Sequence, residues 1–143
     1  MKDEKYISLV CDCLLAFQML EEGLKILIIG SYEIIAKSTP EEIDFKFDYG
    51  SIDDLALKML IKKYIAVTSN NELIQALKSK DLTKWRNFFA HNAFHHELMK
   101  RNSKSQYTEH SYEDLMLVRK KIHRLNNDLT KEVIKLRKVK DSI

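Results

Sequence analysis

Residues 5–37, KYISLVCDCLLAFQMLEEGLKILIIGSYEIIAK, place Tyr6, Leu9, Val10, Cys13, Phe17, Leu20, Leu24, Leu27, Ile28 and Ile35 at three- and four-residue spacing. That period winds a single apolar stripe around a helix of 3.6 residues per turn. The first helix is therefore expected over about Lys5 to Lys37. It ends at Ser38-Thr39-Pro40, because the residue before a proline avoids the helical region. Gly23 and Gly30 are its weakest helix formers and the expected positions of a kink.

Working outward, the same period returns almost everywhere. A second helix is expected from Ser51 to about Val67, opened by the capping-type pattern Ser51-x-x-Asp54. A third covers Glu72 to Ser79 after Thr68-Ser69-Asn70-Asn71, which offers an N-cap. A fourth begins at Asp81 or Thr83 and runs to about Lys100, followed by a polar loop over 101–110. The last helix starts at Ser111-x-x-Asp114 and carries Leu115, Val118, Ile122, Leu125, Leu129, Glu132, Leu136 and Val139 at heptad-like spacing. Such a stripe packs into its own bundle or helps to form a dimer. The exception is 41–50, where Ile43, Phe45, Phe47 and Tyr49 alternate with charged residues, a period of two. One such run cannot make a sheet, so it reads as a short irregular segment laid over the bundle. The fold class is all-α, a bundle of four to five helices.

Composition agrees. With 3 glycines and 1 proline in 143 residues the chain has few turn formers, as a helical bundle needs. Its length suits a single domain over 1–143. A net charge of +3 permits a polyanionic partner without arguing for one. Cys11 and Cys13 sit two apart, project from different sides of a helix, and read as buried free thiols in a reducing cytoplasm. The charged opening residues and the short apolar run Leu24–Gly30 predict neither a leader nor a membrane anchor. The few glycines build no phosphate-cradling loop, and no nucleophile elbow is present.

Chemistry-bearing side chains are densest in Lys84-Trp85-Arg86-Asn87-Phe88-Phe89-Ala90-His91-Asn92-Ala93-Phe94-His95-His96. Arginine presents a permanent charge and a planar fork to phosphate oxygens. Histidine exchanges protons near neutral pH, and asparagine orients by hydrogen bonding. On one straight helix Arg86 and His91 stand about 140° apart, while Asn87, His91 and His95 share a face with Lys84 close by. Leu82, Trp85, Phe89 and Ala93 form the core stripe, with Arg86 at its margin, its stem partly buried and its head reaching outward. For Arg86 and His91 to act on one substrate, either the helix is irregular or two chains contribute. His91 and His95 also have metal-ligand spacing, with His96 or Glu97 nearby and His110 or His123 as the remaining histidines. No His-Glu-x-x-His pattern accompanies them, and no metal or other cofactor is expected.

Arg86-Asn87-Phe88-Phe89-Ala90-His91, with Asn92-Ala93-Phe94 following, resembles the signature of the HEPN superfamily, an arginine and a histidine separated by four to six residues with a polar residue after the arginine. The resemblance implies a small helical domain and a metal-independent endoribonuclease of toxin–antitoxin or antiviral defence systems. It implies Arg86, Asn87 and His91 as catalytic residues in one composite cleft of a homodimer, with a cognate antitoxin as a further partner. RNA is the implied substrate, since DNA lacks the attacking 2′-hydroxyl. Lys84, His95, Arg101 and Lys104 are the expected phosphate contacts. The superfamily also holds non-catalytic members, so a helical dimerisation, partner- or nucleotide-binding module is the alternative.

Overall fold

The computed structural model describes residues 2–79, 81–93 and 110–143. Its frame is two long helices, α1 (Lys2–Ser38) and α6 (Tyr112–Asp141), packed along their lengths. They run in the same direction. The Cys13 thiol meets the Leu115 carbonyl near the start, and the Glu33 carboxylate meets the Lys140 ammonium near the end. A parallel pair needs a return path, and the shorter helices α2 (Tyr49–Asp53), α3 (Leu57–Ile65), α4 (Asn71–Leu77) and α5 (Asp81–Asn87) supply it. Every element is helical, with no strand among the described residues. The all-α reading is correct.

The stripe read from residues 5–37 is the floor of the core. Leu9, Val10, Cys13, Phe17, Leu20, Leu24, Leu27 and Ile28 are all buried, and Tyr6 packs beside them; Ile35 alone faces out, 38% exposed. Leu115, Val118, Ile122, Leu125 and Leu129 of α6 close over that stripe. The heptad-like spacing of the last helix thus serves the bundle's own interior. Glu132, the polar position in the pattern, accepts a hydrogen bond from Asn70 Nδ2 at 2.7 Å, tying α6 to the start of α4.

Gly23 and Gly30 serve contact with α6, and α1 continues as helix through both. A Cβ on Gly23 would lie 3.3 Å from Leu129 Cδ1, and one on Gly30 only 2.6 Å from Leu136 Cδ2. The glycines and the leucines are each seven residues apart, so two successive leucine knobs sit on bare backbone. The close approach outweighs the helix-propensity cost, about 1 kcal/mol for each glycine.

Two helix starts follow their sequence signals. The Ser111 hydroxyl accepts from the Asp114 N–H, and the Asp114 carboxylate accepts from the Ser111 N–H, a complete capping box. Asn70 Oδ1 caps α4 through the Leu73 N–H. The expected helix over 51–67 is instead two. Asp48 is the N-cap of α2, accepting from the Gly50 N–H, while the Ser51 hydroxyl donates to the Asp48 carbonyl. Helix stops at Asp54 and resumes from Ala56, which lets Ile52 and Leu57 both reach the core. The irregular segment, read over 41–50, holds over 41–48, while Tyr49 and Gly50 already belong to α2. Phe45 and Phe47 set their rings edge-on against Tyr32 at 5.7 and 5.4 Å, and the chain lies over the end of α1.

Candidate functional site

Helix α5 begins with Asp81, an acid that suits the positive end of a helix, and buries Leu82. It passes directly into a π-helical turn, Phe88–Asn92, in which the Ala93 N–H donates to the Phe88 carbonyl five residues back. Packing fixes this widened turn. Phe88 and Phe89 are both buried, Trp85 stacks on Phe89 with centroids 6.0 Å apart, and Phe89 meets Phe17 of α1 at 5.9 Å. Ala93 is 1% exposed, and its carbonyl accepts a hydrogen bond from the Tyr6 hydroxyl at 3.1 Å. On an uninterrupted α-helix Ala93 would follow Phe89 by about 40° on the Leu82 side of the core stripe, away from Phe88. One extra residue in the turn swings it back by about 100°, under α1.

The same rotation changes the neighbours of Arg86. In an α-helix Arg86 and His91 diverge by about 140°, and the widened turn between them narrows that angle. Of the two ways to reconcile Arg86 with His91, an irregular helix or a second chain, the irregular helix is present within one chain. Lys84 is exposed on α5 but points well away from Arg86. His95, Arg101 and Lys104, with His96 and Glu97, lie outside the described residues.

The head of Arg86 turns inward instead of reaching out. Its Nε donates to Glu21 Oε1 of α1 at 2.9 Å, and the two side chains are 31% and 16% exposed. A half-buried ion pair of this kind holds a long side chain in one rotamer. The contact uses Nε, so the outer Nη1 and Nη2 edge keeps the remaining N–H donors of the guanidinium. His91 and Asn87 are exposed. A fixed guanidinium, an accessible imidazole and an amide within six consecutive residues are groups of the kind that hold an oxyanion and exchange protons.

Glu21 is the residue that sequence reasoning passed over. The signal was present: position 21 is one residue from Leu20 and three from Leu24, at the margin of the buried stripe, where a carboxylate requires a cation. His110 has a structural position. Its ring lies 4.4 Å from Trp85 and 4.9 Å from Phe88, against the aromatic wall behind the π turn. Among the described residues no three His, Cys, Asp or Glu side chains converge in a metal-sized group, and no helix is long and apolar enough to cross a membrane.

No protein-family model matches the chain, and no curated protein or solved structure matches it either.

Proposed function

We propose that the protein is a metal-independent endoribonuclease of HEPN type, acting in a toxin–antitoxin or antiviral defence setting, with Arg86, Asn87 and His91 as its catalytic group and a homodimer as its working form. The observation that supports this reading most is the π turn at Phe88–Asn92, an irregular turn inside the segment that carries Arg86, Asn87 and His91. A widened turn costs regular hydrogen bonding, and such turns recur where function requires a particular side-chain array.

In this reaction the ribose 2′-oxygen bonds to the adjacent phosphorus while the bond from phosphorus to the 5′-oxygen breaks. One proton leaves the 2′-hydroxyl and one joins the departing 5′-oxygen. His91 handles proton transfer, and Arg86 stabilises charge on the non-bridging oxygens. Asn87 orients the phosphate or the imidazole by hydrogen bonding. Glu21 is a positioning residue, acting through Arg86.

The test is cleavage of defined RNAs by the purified protein in EDTA. Cleavage with cyclic phosphate and 5′-hydroxyl ends is expected, lost in His91→Ala with an unchanged circular dichroism spectrum. Intact RNA across a varied substrate set, with folded protein, overturns the reading.

A further inference from the structure

The charge of this chain is unevenly placed. Helix α6 carries nine Lys and Arg against five Asp and Glu, an excess of four in a chain whose net charge is +3. Helix α1, longer still, carries four Lys against six acidic residues. Within α6 the acids Glu113, Asp114 and Asp141 sit at the ends, so only Asp128 and Glu132 lie among the nine cations of 119–140. Excess charge gathered on one element is the electrostatic footprint of a charged partner.

The outer side of α6 sorts these charges further. Lys120, Arg124, Asn127, Lys131, Lys135 and Lys138 are all exposed and fall within about 80° of arc, nearly opposite the buried stripe of Leu115, Val118, Ile122, Leu125 and Leu129. No carboxylate shares that arc between Lys120 and Lys138. Asp128 is half-buried to one side, and Glu132 is turned to Asn70. Among the described residues only Lys135 of these cations reaches an acid, Glu132 at 3.5 Å. Like charges four apart, as at 120 and 124 or 131 and 135, destabilise a helix. The helix dipole offsets this for Lys138 in the last turn, but not for Lys120, Arg124 or Lys131. The array does nothing for the helix that carries it.

We propose that this face of α6 binds the sugar–phosphate backbone of a double-helical segment of RNA, on a surface separate from the Arg86 segment. Three features choose the occupant. The first is length. From residue 120 to 138 the stripe runs about 27 Å, so its cations cannot converge on one phosphate but can follow a row of them. The second is side-chain type. Single strands are gripped by aromatic rings on which bases stack, and no Phe, Tyr or Trp follows Tyr112. Double-stranded RNA is recognised instead by its shape, through phosphates and 2′-hydroxyls, which Lys, Arg and the Asn127 amide suit. The third is the lack of a free apolar face. A helix that binds an anionic membrane sinks such a face into it, but the apolar stripe of α6 is buried in the bundle. Met116, Leu117 and Ile134 are exposed but too scattered to replace it.

The choice of RNA over another duplex rests on the endoribonuclease reading; the surface itself does not. The stripe faces away from α1, to which Glu21 ties Arg86. The substrate is thereby named as an RNA that carries a stem, held apart from the Arg86 segment.

Fluorescence anisotropy with a labelled RNA duplex of about 20 base pairs tests this on the full chain. A His91→Ala background keeps the duplex intact whether or not the wild type cuts RNA. Binding is expected to weaken roughly twentyfold between about 50 and about 100 mM salt, as about five phosphate contacts require. Lys120→Gln, Arg124→Gln and Lys131→Gln together should weaken it roughly thirtyfold or more and lower the salt slope by about 3, with an unchanged circular dichroism spectrum. Lys58→Gln with Lys62→Gln, which removes exposed cations from α3, should change it less than about threefold. The proposal is overturned by a duplex that does not bind at about 50 mM salt, by a triple variant that binds as before, or by an equal loss from the α3 variant. Tighter binding to the single strand, to a DNA duplex or to phosphatidylserine vesicles overturns it too. Intact RNA in the cleavage assay leaves these outcomes unaffected, so the two readings fail separately.

Discussion

Arg86 on α5 and Glu21 on α1, 65 positions apart in sequence, are joined through Nε and Oε1 at 2.9 Å in a half-buried pair. The bond ties the chemistry-bearing turn to the longest helix. Removing one partner leaves the other short of its counter-charge. Glu21→Gln is therefore expected to lower stability by about 1–3 kcal/mol in urea unfolding. It should also slow RNA cleavage mainly through kcat, since the guanidinium loses its fixed rotamer. Arg86→Lys should not rescue either property, because an ammonium has no Nε–Nη fork to divide between Glu21 and a phosphate. A double-mutant cycle on stability gives the coupling directly.

The π turn makes a prediction about length. Deleting Ala90 restores ordinary α-helical hydrogen bonding and leaves the histidine four positions after Arg86, still on its side. Helicity should persist, and cleavage should stay within about tenfold of the wild type, a loss of no more than roughly 1.4 kcal/mol in transition-state stabilisation. Inserting a second alanine beside Ala90 rotates His91 away by about a further 100° and should abolish cleavage. Equal loss from both changes would show that the rotation is irrelevant.

Gly30→Ala runs against the usual rule. In an exposed helix the change gains about 1 kcal/mol, but here the new methyl would meet Leu136 Cδ2 at 2.6 Å. The clashing atom is the end of a partly buried leucine side chain, so turning it aside should cancel most of that gain, leaving a net change within about 1 kcal/mol in chemical denaturation. Leu136→Ala in the same chain should recover part of that gain. Gly23→Ala, at 3.3 Å from Leu129, should cost less than Gly30→Ala.

Glu33, Lys140 and Tyr49 meet at the far end of the bundle. The hydrogen bond from Lys140 holds the Glu33 carboxyl below its ordinary range, with help from the Tyr49 hydroxyl, while Glu33 raises Lys140. A lowered acid stabilises the fold above its unfolded value, and the gain is lost as pH falls through the folded value. A raised base does the reverse, and its gain is lost as pH climbs through the folded lysine value. The difference in melting temperature between wild type and Glu33→Gln should thus be largest across the neutral range and shrink at both acid and alkaline ends. A difference independent of pH would show that the charges contribute nothing.

Much of the architecture could be read from residue patterns because it was locally determined. The stripe on α1, the Ser111 capping box and the Asn70 cap depend on neighbours a few positions away. The break at Asp54–Ala56 was hidden because no proline or glycine marks it; packing of Ile52 and Leu57 into one core decides it. The π turn was hidden for the same reason. Nothing in the residue types of Phe88–Asn92 marks a wider turn, and the bond from the Tyr6 hydroxyl to the Ala93 carbonyl joins residues 87 positions apart. At the site, residue types pointed to Arg86, Asn87 and His91. The ion pair from Glu21 came only with three-dimensional contact.

Cys13 lies sealed between α1 and α6, its thiol against the Leu115 carbonyl, and burial pushes its pKa up to about 11. Cys11, expected from its residue type to be buried as well, is instead exposed, since two residues from Cys13 it falls outside the apolar stripe of α1. The chain thus contains its own stopwatch. A thiol reagent added to native protein should consume Cys11 at once and Cys13 only when the two long helices part. The lag between the two modifications measures how often that seam opens, residue by residue and without any added probe.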